Sequence, residues 1–283
     1  MQRRVALVIG SGSVKCAAAV GLQNVLKREG IGIDMIVGCS GGSMYAALMA
    51  AGYDAETITE MSRRLWTRDI TAKKNRKALL QLLFPKLFGF DARFGLRDDG
   101  PVMEVFEKAF GKLTFENMKI PLYLTATDFA NGEQVILSKG SLVDAIRASI
   151  AIPFIFSPHL VDGRLLMDGF VSDPLPVGVA MKEGASIIVA MGFESPLQGN
   201  INSFARFAFQ LSSVMTNNLL KANYAFHSLA HHTEVIPVIP EFGERVRLFD
   251  TAKIPYVIAE GERAAEEQLP YLKRLLADGE SAA

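Results

Sequence analysis

The chain has 283 residues, of which 49% are hydrophobic, and its 30 basic and 30 acidic side chains cancel. A chain of this size can bury one large core, and zero net charge gives no global field that attracts nucleic acid. We therefore expect one domain over residues 1–283 and no nucleic-acid partner. Cys16 and Cys39 are too few for a disulfide framework and lack metal-ligand spacing, so we expect reduced thiols in a cytoplasmic protein.

Strand and helix patterns alternate along the chain. The first apolar run, VALVIG at 5–10, is too short for a signal peptide and predicts a buried strand. Further runs rich in Val and Ile predict strands at 35–38, 121–127, 186–192 and 234–240. Helical patterns fall at 15–29, 43–51, 54–66, 101–110, 141–149, 174–183 and 256–277. Such alternation predicts an α/β fold, a three-layer α/β/α sandwich around a mostly parallel sheet.

A basic and apolar segment interrupts this alternation. The cluster KKNRK at 73–77 precedes ALLQLLFPKLFGF at 78–90, which contains a helix-breaking Pro85. No run in the chain reaches the roughly 18 apolar residues of a spanning helix, so we expect a soluble or peripheral protein. Because most amphipathic segments pack on a core, the first interpretation of 73–90 is a cap over the sheet. The second is a lid that faces an anionic membrane surface or receives lipid.

The stretch DMIVGCSGGSMYA at 34–46 contains the pattern G-x-S-x-G, formed by Gly38, Ser40 and Gly42. A serine on a sharp strand-to-helix turn is forced toward positive φ, and the close backbone approach requires glycine two positions away on either side. The amide of Gly41, at the start of the helix, is the natural oxyanion donor. A purely structural turn is the alternative, but the strand before and the alanine-rich helix after favour Ser40 as a nucleophile.

The loop after the first strand offers further oxyanion donors. Small residues in GSGSVK, at 10–15, expose consecutive N–H groups, and Lys15 adds a nearby cation that favours developing negative charge. A phosphate-binding loop is the rival interpretation, but neither G-x-G-x-x-G nor a Walker pattern is present.

Two Asp-Gly pairs lie six residues apart in HLVDGRLLMDGFVSDPLPVGVA, at 159–180. Asp162-Gly163 lies between two short apolar runs and predicts a hairpin turn. Asp168-Gly169 ends the second run and precedes an irregular stretch, so its carboxylate lies at a strand end, where sites gather. Asp168 is therefore the candidate base.

These motifs together resemble the patatin-like phospholipase family over roughly residues 5–192. The resemblance rests on four cues in order: GSGSVK, GCSGG, AIRASIAIPFIFSP at 145–158 and DGFVSDPLPV at 168–177. It implies a Ser-Asp dyad without histidine, in which Ser40 attacks an acyl ester and Asp168 takes its proton. It also implies an oxyanion site around Ser11, Gly12 and Ser13.

The chain departs from the family pattern at four positions. Family members usually carry glycine where Ser11, Ser13 and Cys16 stand, and often glycine or alanine where Phe170 stands. Serine and cysteine still provide backbone N–H groups. These departures concern substrate size and catalytic strength rather than the fold.

Three histidines follow Asp168, so a Ser-Asp-His order is formally available, and two of them have the i, i+4 spacing of a helical metal site. They are His227, His231 and His232. No carboxylate or cysteine completes a local set, and we expect surface or helix-terminal roles for them.

These residues predict a phospholipase A-like or esterase-like acyl hydrolase that uses Ser40 and Asp168 through an acyl-enzyme and requires no metal or cofactor. The expected substrate is a phospholipid or another lipid ester. An acyltransferase with the same dyad and a weakly active lipid-binding protein are the alternatives.

Overall fold

One mostly parallel sheet organises the chain, whose computed structural model describes residues 3–197, 199–230 and 233–280. The strands in these ranges are β1 (Val5–Ile9), β2 (Met35–Cys39), β3 (Leu122–Asp128), β4 (Gln134–Leu137), β5 (His159–Val161), β6 (Arg164–Asp168), β7 (Ile187–Met191) and β8 (Glu234–Val238). Their order is β5-β6-β3-β2-β1-β7-β8, and β4 also pairs with β3. Strands β1, β2, β3, β7 and β8 run parallel, whereas β4, β5 and β6 join by antiparallel pairing.

Helices cover both faces of the sheet. They are α1 (Ala18–Arg28), α2 (Gly41–Ala50), α3 (Ala55–Leu65), α4 (Arg76–Leu83), α5 (Pro85–Phe88), α6 (Gly100–Phe110), α7 (Leu142–Ser149), α8 (Val177–Lys182), α9 (Phe204–Ala230) and α10 (Ile254–Glu280). Alternate residues of β1 point to opposite faces: Ala6 joins a cluster with α8, and Leu7 joins a larger cluster with α1, α2 and α10. The three-layer α/β/α prediction is therefore confirmed. None of the helices in the described ranges combines the length and apolar character that crossing a bilayer requires.

The predicted strands and the predicted helices are present, with differences at their ends. Residues 13–17 form a 3-10 turn before α1. The hairpin at Asp162-Gly163 is confirmed, with φ values of 48° and 79°, and His159 begins its first strand. The long helix α9 was not predicted, because its apolar residues do not follow a single stripe that faces the core.

The segment 73–90 forms α4 and α5, which are separated at Pro85. In α4 only Ala78 and Gln81 are buried. Leu83 and Leu87 are 70% and 77% exposed, and most other Leu and Phe side chains of the segment are also exposed. The interpretation of this segment as a core-packed cap is therefore wrong for most of its apolar side chains.

The strand register explains how Ser40 and Asp168 meet across 128 residues of sequence. Cys39, the last residue of β2, pairs with Thr125 of β3. Asp168, the last residue of β6, pairs with the next residue of β3, Ala126. Both strands therefore end at the same part of β3, and their terminal side chains become neighbours.

Candidate active site

Ser40 occupies the turn between β2 and α2 with φ 53° and ψ −126°. A residue with a Cβ pays a steric cost at positive φ, and such strain persists only where the surrounding structure enforces it. Here the last strand residue and the first helix residue are its immediate neighbours. The predicted elbow geometry is present in the structure.

The glycines around Ser40 are required by close packing. A Cβ on Gly38 would lie 2.7 Å from the Ala46 Cβ, and one on Gly42 would lie 2.4 Å from the carbonyl oxygen of Ile9. Neither neighbour can move without displacing a strand or α2. These two positions therefore accept only glycine, as the motif predicts.

Ser149, the last residue of α7, holds the elbow in place. The Ser40 amide donates to Ser149 Oγ at 2.9 Å, and Ser149 Oγ donates to the Thr125 carbonyl at 2.7 Å. The side chain is fully buried. Ser149 lies in the AIRASIAIPFIFSP cue, but sequence reasoning assigned it no role, because no local pattern indicates a contact 109 residues away.

The hydroxyl of Ser40 donates to Asp168 Oδ2 at 2.8 Å. The other carboxyl oxygen, Oδ1, accepts the Phe170 amide at 3.1 Å. Asp168 has no exposed surface, and burial raises its pKa to about 8, although the Phe170 amide and the Ser40 hydroxyl partly oppose this shift. A carboxyl group with a pKa close to neutrality, one hydrogen bond from a serine, has the geometry of a general base.

The backbone of Asp168 is fixed on both sides. Its amide donates to the Ala151 carbonyl at 3.0 Å, and its carbonyl accepts Thr127 Oγ1 at 2.9 Å. Thr127 also bonds the Ser172 hydroxyl at 2.8 Å. Sequence reasoning missed Thr127, which lies inside a strand and looks like any other β-branched residue.

The loop after β1 faces the start of α2. A Cβ on Gly41 would lie 2.8 Å from the Ser13 nitrogen, so the two segments are in contact. The Ser11 amide donates to the Pro174 carbonyl at 2.8 Å and is not free to bind an oxyanion. The amides of Gly12, Ser13 and Gly41 have no acceptor among the described residues, so these three remain the candidate donors.

Ser13 adopts φ 54°, a conformation that favours glycine. The glycine that the family resemblance implies at this position therefore has a physical reason in the backbone conformation. Serine retains the required φ here at the cost of strain, which is on the order of 1 kcal/mol.

Lys15 does not point at Ser40 as a free cation. Its Nζ donates to the Glu194 carbonyl at 2.9 Å and lies 5.5 Å from the centre of the Phe242 ring. Burial lowers its pKa. The side chain thus links the loop after β1 to the loop after β7, and it still lines the cavity at Ser40.

A cavity of about 180 Å³ opens beside Ser40. Its walls come from the loop after β1, residues 152–155, Phe170, the loop after β7 and the first half of α9. Phe170, the bulky residue after the second Asp-Gly pair, forms part of the wall. Most of the wall is apolar, which suits a hydrocarbon chain.

The proposed role of the histidines has no structural test. His231 and His232, together with the side chain of His227, lie outside the described residues. Their expected surface or helix-terminal roles stay predictions.

Comparison with known proteins identifies the family. A family model described as "Patatin-like phospholipase" matches residues 7–181, which include Ser40 and Asp168. The chain is 33% identical over 196 residues to an uncharacterized NTE family protein of Mycobacterium tuberculosis, covering 69% of this chain and 51% of that protein. It is 29% identical over 189 residues to the neuropathy target esterase sws of Drosophila melanogaster, covering 66% of this chain and 13% of that protein.

A crystal structure of VipD from Legionella pneumophila shares the fold, with a TM-score of 0.52 at 12% identity, covering 96% of this chain and 67% of VipD. The chain spans about half the length of the mycobacterial relative and a smaller part of the fly esterase. Because the family match runs from β1 through the elbow and the Asp168 strand into α8, the chain belongs to the patatin-like phospholipase family.

Proposed function

We propose that this protein is a serine acyl hydrolase that cleaves carboxylic esters of lipids, with Ser40 as nucleophile and Asp168 as general base. The observation that carries the proposal is the 2.8 Å hydrogen bond between a strained serine and a buried carboxyl group. Strain of this kind is retained where function needs it, and the raised pKa suits proton transfer near neutrality.

In the first half of the reaction, ionised Asp168 accepts the proton of Ser40 while Oγ forms a bond to the ester carbonyl carbon. The carbonyl oxygen becomes an oxyanion, which the amides of Gly12, Ser13 and Gly41 stabilise. The oxyanion then collapses, the bond to the alcohol breaks, and the alcohol leaves with the proton from Asp168. The acyl group is now esterified to Ser40.

In the second half, Asp168 accepts a proton from water, and the hydroxide oxygen attacks the acyl-enzyme carbonyl carbon. The bond to Ser40 Oγ breaks, Ser40 regains its proton from Asp168, and the fatty acid leaves. An acceptor alcohol in place of water would give acyl transfer by the same steps.

A lipid substrate is supported by the surfaces next to the cavity. The exposed apolar side chains of α4 and α5 are accompanied between residues 73 and 90 by five cations and no carboxylate. The base of this segment is attached to the cavity wall, because the Asn75 amide bonds the Leu96 carbonyl and the Leu96 amide bonds the Phe154 carbonyl. We propose that this segment docks on an anionic membrane surface and brings lipid to Ser40.

The dyad is tested by profiling the lipids that are consumed by wild type but not by Ser40→Ala. A fluorophosphonate probe should label wild type at Ser40, since only an activated serine reacts quickly. Absence of labelling would support the alternative of an inactive lipid-binding protein. Acyl transfer to an added lipid alcohol, with little free fatty acid, would support the transferase alternative.

The docking proposal is tested by replacing Lys74, Arg76, Lys77 and Lys86 with Gln. Each cation near an anionic surface contributes on the order of 1 kcal/mol, so binding to vesicles containing phosphatidylserine should fall steeply and depend less on salt. Hydrolysis of soluble p-nitrophenyl butyrate should hardly change. A matched control replaces four exposed cations outside the segment, Lys112, Lys139, Arg164 and Lys182.

Docking is refuted if the first variant binds anionic vesicles as well as wild type. It is also refuted if soluble-ester and vesicle activities fall in parallel, since that result indicates that the segment supports the fold.

A further inference from the structure

The first half of α9 exposes apolar side chains and buries hydroxyl-bearing ones, which is the reverse of an ordinary surface helix. Phe207, Leu211 and Met215 are 56%, 52% and 62% exposed. Ser213 and Thr216, on the opposite side, are only 3% and 5% exposed. A helix that merely covers a core buries its apolar face and exposes its polar one. The buried hydroxyls therefore require an explanation.

Both side chains line the cavity that contains Ser40, and neither hydroxyl has a hydrogen-bond partner among the described residues. Neither hydroxyl oxygen is among the fully buried atoms that lack a partner, so both oxygens remain accessible. Two hydroxyls of helix α3 behave differently. Ser62, in α3, donates to the Ile58 carbonyl at 2.6 Å, and Thr59 donates to the Ala55 carbonyl at the same distance. Back-bonding to the preceding turn is the usual solution for a helical Ser or Thr. Ser213 and Thr216 leave their hydroxyls available to the cavity.

The helix is held in position by polar contacts that adjoin the site. Asn217 accepts the Ser195 amide at 2.7 Å and donates to the Ser195 carbonyl at 3.0 Å. Asn223 donates at 2.7 Å to the carboxylate of Asp173, which follows the Asp168 turn. The hydroxyls of Ser213 and Thr216 are therefore placed by a fixed helix, which lowers the entropy cost of binding.

Another part of the cavity wall has a different character. Residues 152–155 contribute Ile, Pro, Phe and Ile, and Phe170 lies beside them. An ester in this cavity has one apolar part, the acyl chain, and one part rich in oxygen, the alcohol. Matching each part to the side chains that suit it places the acyl chain against residues 152–155 and the alcohol against Ser213 and Thr216.

We propose that Ser213 and Thr216 form a subsite for the polar alcohol part of the lipid ester, in which they bond a glycerol hydroxyl or a phosphate oxygen. The inference deepens the hydrolase function proposed above and rests on it. The subsite lies beyond residue 181, outside the part of the chain that the family model matches. It is therefore a property of this chain's C-terminal third.

The test compares three esters with the same acyl chain: an ethyl ester, a monoacylglycerol and a lysophosphatidylcholine. The variants are Ser213→Ala, Thr216→Val and the double substitution, with Ser62→Ala as a matched loss of a buried helix hydroxyl. A neutral hydrogen bond contributes about 1 kcal/mol, so each substitution should lower kcat/KM for the recognised lipid about fivefold, and the double variant about 25-fold. The ethyl ester should change less than twofold, and Ser62→Ala should not discriminate among the three.

The two polar substrates show which oxygen of the lipid accepts or donates the hydrogen bond. A loss for both indicates a glycerol hydroxyl, and a loss for lysophosphatidylcholine alone indicates a phosphate oxygen. Thermal unfolding provides the second readout. Because the removed hydroxyls have no partner in the protein, the double variant should be at least as stable as wild type, whereas Ser62→Ala should be less stable.

Equal losses for all three esters, or no loss for any, would overturn the subsite. So would a clear drop in the unfolding temperature of the double variant, which would assign the hydroxyls a structural role. Fluorophosphonate labelling of Ser40 in every variant keeps this failure separate from failure of the hydrolase proposal.

Discussion

Two identical dipeptides, Asp162-Gly163 and Asp168-Gly169, lie at the two ends of the same strand, β6, and have opposite environments. Asp162 is exposed and has φ 48°, as a tight hairpin turn requires. Asp168 is completely buried and has φ −50°. The first pair only forms the hairpin turn. The second places a carboxyl group beside a serine from another strand.

The glycines differ in the same way. Gly163 has φ 79° with no atom within 4 Å of an added Cβ, so glycine is favoured there by backbone conformation only. For Gly169, an added Cβ would lie 2.5 Å from the Thr125 carbonyl oxygen and 3.0 Å from Cys39 Sγ. The dipeptide sequence therefore predicts a local turn in both places. Whether the aspartate can take part in catalysis depends on which distant residues pack around it.

The largest expected difference between the pairs is in activity. Asp168→Asn should lower kcat/KM for p-nitrophenyl butyrate by 10²-fold or more, because a positioned base typically contributes at least that much. Asp162→Asn should be nearly silent, since Asn suits the hairpin equally well. Combining Asp168→Asn with Ser40→Ala should cost little more than either alone, because the two groups act as one unit. Retention of more than about a tenth of activity in Asp168→Asn would reject the base assignment.

The glycine pair should differ in stability. Gly169→Ala forces a methyl group against backbone, and overpacking of this kind costs about 1–3 kcal/mol in the free energy of unfolding. We expect the upper end, with a parallel loss of activity as Asp168 moves. Gly163→Ala should cost about 1 kcal/mol from its positive φ and leave kcat/KM unchanged. Urea unfolding and p-nitrophenyl butyrate kinetics measure both, and equal destabilisation by the two substitutions would contradict the contrast.

The pH dependence of activity should follow the buried carboxyl. With the pKa of Asp168 raised to about 8, kcat/KM for a neutral soluble ester should rise about tenfold per pH unit below that value and level off above it. Asp162→Asn should keep this profile. A rate that is flat between pH 5 and 8 would mean that Asp168 ionises at a much lower pH.

Stability should respond to pH in the opposite direction. Asp168 keeps its proton in the folded state up to about pH 8 and loses it near pH 4 when unfolded. Between these values the native state binds more protons, so its stability falls as pH rises. Asp168→Asn should remove this component of the pH dependence, which denaturant titrations at several pH values can detect.

The smallest effect concerns the histidines. Replacement of His227, His231 or His232 by Ala should leave kcat/KM within a few-fold of wild type, because the carboxyl of Asp168 contacts Ser40 directly and no imidazole is needed to relay the proton. A fall of about 10³-fold for any one of them would indicate a triad instead.

Local features of the active site could be read from the sequence, because they depend on neighbouring residues. The strained φ of Ser40 and the close contacts of Gly38 and Gly42 follow from a strand that turns at once into a helix. The turn at Asp162-Gly163 could also be predicted from its neighbouring residues. The apolar runs of β1, β2, β3 and β7 predicted a buried parallel sheet, since a strand covered on both faces has few places for polar side chains.

Contacts between distant segments were decided only by the tertiary structure. Ser149 accepts the Ser40 amide because α7 ends beside β3. The Ser11 amide donates to the Pro174 carbonyl because the loops that contain them meet. The exposure of Leu83 and Leu87 likewise depends on what packs over α4 and α5, which periodicity does not report. A hydroxyl such as that of Thr216 looks the same in sequence whether it bonds its own helix or faces a cavity. Sequence patterns record the period of a helix or strand, whereas the partners of a side chain are set by packing across the whole chain.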